Sequence, residues 1–137
     1  MIQIHPAGRL KLAVLASGRG SNFDAIYTAT QDGRLNADIK VLISDKAESL
    51  ALQKARQRKI PAYYLDPSAY SSRSAYETEL VSLLRQHQVE VVALAGYMRL
   101  VGKVMLEEFR HCIVNIHPAL LPAFPGLNAQ RQALEYG

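Results

Sequence analysis

The chain has 137 residues, 49% hydrophobic and 20% charged, a balance that fits one folded core and excludes a disordered or low-complexity polymer. Its 16 basic and 12 acidic residues leave a net charge of +4; this suits anionic small molecules, while the scattered cations, with no interleaved aromatics, argue against a nucleic-acid partner. No apolar run approaches a membrane-spanning length, residues 1–9 carry no hydrophobic signal core, and Cys112 is the only cysteine, so the expectation is a cytoplasmic protein without a membrane partner, with Cys112 packed as a small hydrophobe.

Residues 1–10 read as an N-terminal extension. Residues 11–16 form an apolar strand, and residues 22–31 a helix closed by Gly33. A second strand follows over 38–44, then a helix over 48–58 whose cations sit at the spacing of a solvated face. Residues 60–65 are a short strand. The spacing of Ala75, Tyr76, Leu80, Leu83 and Leu84 predicts a long helix over 72–87. The mostly β-branched run over 89–95 predicts a strand buried on both faces. A helix over 102–110, a strand over 112–116 and a last helix over 128–136 complete the chain. Five strands alternating with helices predict the α/β class: a doubly wound, mostly parallel sheet with helices on both faces and right-handed crossovers. Ligands bind such sheets outside the carboxyl ends of the strands. Three polar stretches follow strand ends here: residues 17–22, 96–99 and 115–117.

The first stretch is Ser17-Gly18-Arg19-Gly20-Ser21-Asn22. Two glycines permit positive φ and close backbone approach, which would turn the amides of Gly20, Ser21 and Asn22 toward an anion at a helix N-terminus. The plain alternative is an ordinary turn in which Ser21 and Asp24 form a capping box. A Walker A loop is excluded because the lysine is missing. A dinucleotide fingerprint is weakened by Phe23 in the third glycine's place, yet Asp45 stands where a ribose-binding acid would, so that reading stays open.

In the third stretch, Asn115 and His117 are two apart on a strand, so their side chains share a face. Asn can donate to a developing oxyanion and His can move a proton near neutral pH. That pairing suits acyl transfer without a covalent intermediate; the alternative is an Asn that caps the strand and a His packed on Pro118. Pro118, Pro122, Pro125 and Gly126 keep the next loop from helix. No metal is expected, because His5, His87, His111 and His117 do not cluster at ligand spacing.

Three stretches resemble one family. Residues 15–23 (Leu-Ala-Ser-Gly-Arg-Gly-Ser-Asn-Phe), 93–100 (Ala-Leu-Ala-Gly-Tyr-Met-Arg-Leu) and 115–122 (Asn-Ile-His-Pro-Ala-Leu-Leu-Pro), the last with Gly126 and Gln132-Ala133-Leu134, are similar to phosphoribosylglycinamide formyltransferases, folate-dependent enzymes of purine synthesis. The third motif also occurs in other formylfolate enzymes; the Ser-Gly-x-Gly-Ser-Asn loop sets this family apart from formylfolate hydrolases and tRNA-directed formyltransferases. The resemblance implies 10-formyltetrahydrofolate as co-substrate and glycinamide ribonucleotide as acceptor. It implies a phosphate site at Gly20, Ser21 and Asn22, and a folate site at Arg73, Met98, Arg99, Leu100, Val101 and Asn115. It makes Asn115 and His117 the catalytic pair. Two departures stand out: Ala119 where the family often has Ser, and Asp24, an acid beside the phosphate loop. The family also extends past the residue matching Gly137, into a region with an Asp that pairs with the catalytic His. Residues 11–137 are therefore expected to be the N-terminal, nucleotide-binding portion of such a domain, either weakly active or a binding module without catalysis.

Overall fold

The computed structural model describes residues 8–116. The expected helix over 128–136, the proline loop, His117 and most of the N-terminal extension lie outside the described residues.

The first strand, β1 (Leu10–Ala16), shows how the pattern specifies the fold. Residues 12–16 are all buried, with Leu12, Val14 and Ala16 on one face and Ala13 and Leu15 on the other, the period-two alternation of a strand. On the first face they meet Phe23 and Ile26 of α1 (Ser21–Gln31) and Ala51, Leu52 and Ala55 of α2 (Leu50–Gln57). On the second they meet Tyr76, Leu80 and Leu84 of α3 (Arg73–Gln86), and Met105 of α4 (Lys103–Glu108). A strand covered on both sides needs apolar residues throughout, which is why this run does not alternate with polar ones. Each fully buried Leu or Ile contributes about 1.5–3 kcal/mol.

The remaining strands are β2 (Ala37–Ser44), β3 (Ala62–Tyr64), β4 (Val91–Leu94) and β5 (Ile113–Asn115). Every pairing is parallel, and the order is β3-β2-β1-β4-β5. The doubly wound expectation therefore holds. The chain first steps outward from β1 to β2 and β3, then returns to the other side of β1 for β4 and β5. α1 after β1 and α4 after β4 pack on opposite faces of the sheet, which makes the carboxyl ends of these two strands the switch point of the fold.

Local signals account for the helix limits. Ser49 Oγ accepts from the Ala51 amide and starts α2; Ser72 Oγ accepts from the Ala75 amide and starts α3. Gly33, at φ +84°, follows the end of α1 as expected. The elements are shorter than expected by one or two residues at several ends; β3 keeps half its expected length, an outer strand whose Tyr63 and Tyr64 are exposed. Cys112 lies just before β5 and is only half-buried; burial pushes its thiol above the usual value. No helix among the described residues is long and apolar enough to cross a membrane.

Candidate active site at the carboxyl ends of the strands

The turn after β1 is fixed through its backbone. Gly20 precedes α1 with φ +81° and ψ 19°, and a Cβ there would sit 3.1 Å from the Ala51 Cα. Only glycine meets both the left-handed backbone and the close approach without strain. The turn's carbonyls face α2. Gly18 O accepts from the Ala51 amide (3.3 Å) and Ser49 Oγ (3.1 Å), and Arg19 O accepts from Lys54 Nζ (3.1 Å). With the carbonyls held behind, the amides that open α1 are left without helical partners, as at any helix start. Among the described residues, no acceptor reaches the amides of Ser21 or Asn22.

The expected capping box is not formed. Ser21 is the first residue of α1 rather than its cap, and the cap makes no side-chain hydrogen bond. Asp24 instead turns away from the anion side and binds Lys54 (2.6 Å) and Arg58 (2.7 Å) of α2's C-terminal half and end. Partial burial disfavours its charge, but hydrogen bonds from Lys54 and Arg58 outweigh that and hold its carboxyl below the usual value. These two cations are therefore not part of a freely solvated face. Arg58 also stacks on Phe23 (5.0 Å) and Tyr27 (4.4 Å), which braces α2 against α1 behind the turn.

Three strand ends meet at this turn. The Ser17 amide donates to Gly96 O (3.3 Å), and the Met98 amide donates to Ser17 Oγ (2.8 Å), tying the loop after β4 to the loop after β1. Asn22 Nδ2 donates to Ile116 O (3.3 Å), tying α1 to the end of β5. Asn22 thus has a bracing role through its side chain, besides the amide the sequence pointed to. Asn115 ends β5 and is exposed. The structure brings Gly20, Ser21, Asn22, Met98 and Asn115 to the same end of the sheet; His117 falls outside the described residues.

The segment over 98–101 is unlike the turn. Met98 is 80% exposed and Leu100 77%. Arg99 is exposed too, its guanidinium 5.3 Å from the Tyr76 ring centre, while Val101 packs at the margin of the second core face. Arg73 opens α3, and its Cδ lies against Gly102. Below the segment, Tyr97 is held neutral: burial, then Tyr76 and Asp45 beside it, push its hydroxyl far above the usual tyrosine value.

Asp45, the residue that kept the dinucleotide reading open, is only 5% exposed, with an Oδ1 that has no partner among the described residues. Phe23 is fully buried where the third glycine of that fingerprint would stand. An acid inside the protein and a packed aromatic in the glycine's place both disfavour a dinucleotide. Among the described residues, no three His, Cys, Asp or Glu side chains gather as metal ligands.

Sequence reasoning missed Glu77. It is 4% exposed and accepts from the amides of Gly102 (2.6 Å) and Met105 (3.2 Å) at the start of α4. A signal was available: Glu77 lies beside Tyr76 and three residues before Leu80, an acid on the apolar stripe of α3.

A strand order that reverses beside β1, with a glycine turn leading into a helix there, defines a doubly wound α/β protein. Comparison with known proteins narrows this class. The formyl transferase family profile matches residues 10–137, and the chain belongs to that family. It is 43% identical over 127 residues to phosphoribosylglycinamide formyltransferase of Bacillus subtilis (strain 168), covering 93% of this chain and 65% of the relative. It is 39% identical over 128 residues to the Escherichia coli (strain K12) protein of the same name, covering 93% and 60%. The crystal structure of glycinamide ribonucleotide transformylase 1 from Symbiobacterium toebii superposes with a TM-score of 0.79 at 46% identity, over 98% of this chain and 64% of that one. The chain thus spans somewhat less than two thirds of the length of these relatives.

Proposed function

We propose that the protein carrying this chain moves the formyl group of 10-formyltetrahydrofolate to the amine of glycinamide ribonucleotide, a cytoplasmic step of purine synthesis. The observation that carries this reading is the convergence of the glycine turn, the loop after β4 and the end of β5 through the Ser17–Met98 and Asn22–Ile116 hydrogen bonds. That convergence supports a phosphate site and a formyl-donor site side by side, and the names of the relatives above carry the acceptor and the transfer of a formyl group.

In this reading the phosphate lies on the amides of Gly20, Ser21 and Asn22, where the positive end of α1 favours an anion. The folate lies along Met98, Arg99, Leu100 and Val101, where exposed Met98 and Leu100 offer an apolar edge to a flat ring; Arg73 and Asn115 flank it. The substrate amine attacks the formyl carbon, forming the new C–N bond and a tetrahedral oxyanion. Asn115 donates to that oxygen, and protonated His117 stabilises it. The intermediate collapses as the bond from carbon to the folate nitrogen breaks. That nitrogen takes a proton through His117, and the amine gives one up. Gly20, Ser21 and Asn22 only bind; Asn115 and His117 touch the reacting atoms.

The test is an assay with both substrates, with products identified by mass. Formylated glycinamide ribonucleotide and free tetrahydrofolate are expected in equal amounts. Formate release without a formylated nucleotide would replace this reading by hydrolysis, and nucleotide binding without turnover would replace it by a binding module.

A further inference from the structure

The segment over 98–101 packs on the body only through Val101 at the core margin and Arg99 over the Tyr76 ring, while Met98 and Leu100 are 80% and 77% exposed. Its position depends on its ends. At one end the Met98 amide is held by Ser17 Oγ at 2.8 Å. At the other the Gly102 amide is held by Glu77 Oε2 at 2.6 Å, while Oε1 takes the Met105 amide at 3.2 Å. Gly102 precedes α4 and supplies no side-chain cap, so a carboxyl group from α3 satisfies amides that the helix cannot. The fit is close. A Cβ on Gly102 would lie 2.7 Å from Arg73 Cδ and 2.9 Å from Glu77 Oε1. Arg73 and Glu77, one turn apart on α3, thus straddle Gly102.

We propose that Glu77 is a positioning residue for the formyl-donor site: by gripping the amides of Gly102 and Met105 it fixes where the 98–101 segment presents Met98, Arg99 and Leu100 to the folate ring. Glu77 does not touch substrate. Its effect falls mainly on one ligand, because the turn's carbonyls are anchored on α2 and Ser17 alone joins the turn to the loop after β4. The inference rests on the proposed function for the identity of that ligand, and on the structure alone for the clamp.

The experiment is Glu77→Gln in the protein carrying this chain, with both substrates varied and with hydrogen exchange measured over residues 98–105. The amide side chain keeps one acceptor and sets an N–H group against the second backbone donor. The expected result is a KM for 10-formyltetrahydrofolate raised about tenfold, as for loss of one charge-assisted hydrogen bond, with the KM for glycinamide ribonucleotide and kcat within about twofold and faster exchange over 98–105. Glu77→Asp, a carboxyl too short to reach both amides, falls between. Glu77→Asp carries the test if Glu77→Gln does not fold, whereas Gly102→Ala would crowd Arg73 as well as Glu77 and does not isolate the clamp. Parallel rises in both KM values, or no change in either, overturn the proposal. A wild-type protein with no formyl transfer would instead refute the proposed function, while exchange over 98–105 still reads the clamp.

Discussion

The turn after β1 and the segment after β4 lie side by side but are built in opposite ways. The turn is held through its carbonyls, which accept from the Ala51 amide, Ser49 Oγ and Lys54 Nζ, and Gly20 sits where a side chain has little room. The segment is held by side chains at its two ends and shows apolar residues to solvent. The difference follows the ligands each would take. An anion is held by amides that must not move, because the hydrogen bonds are directional. A flat ring is held by apolar area, which tolerates a looser edge. Substitutions in the turn should therefore be costly, and substitutions along the segment graded.

Chemistry between the two regions gives the largest expected effect. Asn115→Ala or His117→Ala should lower kcat by about 100- to 1,000-fold, the usual loss for one oxyanion donor, with Tm nearly unchanged for exposed Asn115. Steady-state kinetics with thermal melts check both. Gly20→Ala comes next. The left-handed backbone alone costs about 1–2 kcal/mol for a residue with a Cβ, and the approach to Ala51 adds to it, so Tm should fall and nucleotide binding by calorimetry should weaken with it. An unchanged Tm and affinity would mean that the turn is not rigid.

Two smaller effects sharpen the contrast. Asp24 braces the turn from behind, and its carboxyl is held below the ordinary 3.8. A depressed folded value adds stability above the unfolded pKa, and that stability is lost as pH falls through the folded one. Wild type should therefore lose more stability than Asp24→Asn on acidification below about pH 4, and denaturant titrations across that range read the gap. Met98→Ala should raise the KM for formylfolate only a few-fold, since it removes apolar area without disturbing an anchor.

Much of this fold was legible because burial on both faces leaves its mark on the inner strands, as in residues 12–16, and because Ser49, Ser72 and Gly33 punctuate helices where such residues usually do. The neighbourhood of the glycine turn was legible too. The role of Asp24 was not: a Ser three residues before an acid is a good local capping signal, and it lost to Lys54 and Arg58, cations 30 and 34 residues away that only the packing of α2 on α1 brings close. Glu77 escaped for the same reason, since its partners lie 25 and 28 residues on. Asp45 teaches the converse: its residue type and place suggested a ribose contact, and the packed structure puts it inside, while Asn22, read for its amide, adds a bracing bond through its side chain.

Amide chemical-shift mapping tests the two-region account most directly, with glycinamide ribonucleotide and a non-transferable formylfolate analogue added separately. The account predicts that the nucleotide shifts the amides of Gly20, Ser21 and Asn22, while the folate analogue shifts residues 98–101 and Asn115. Nucleotide binding that leaves the turn's amides unmoved, or both ligands perturbing one region alone, would contradict it.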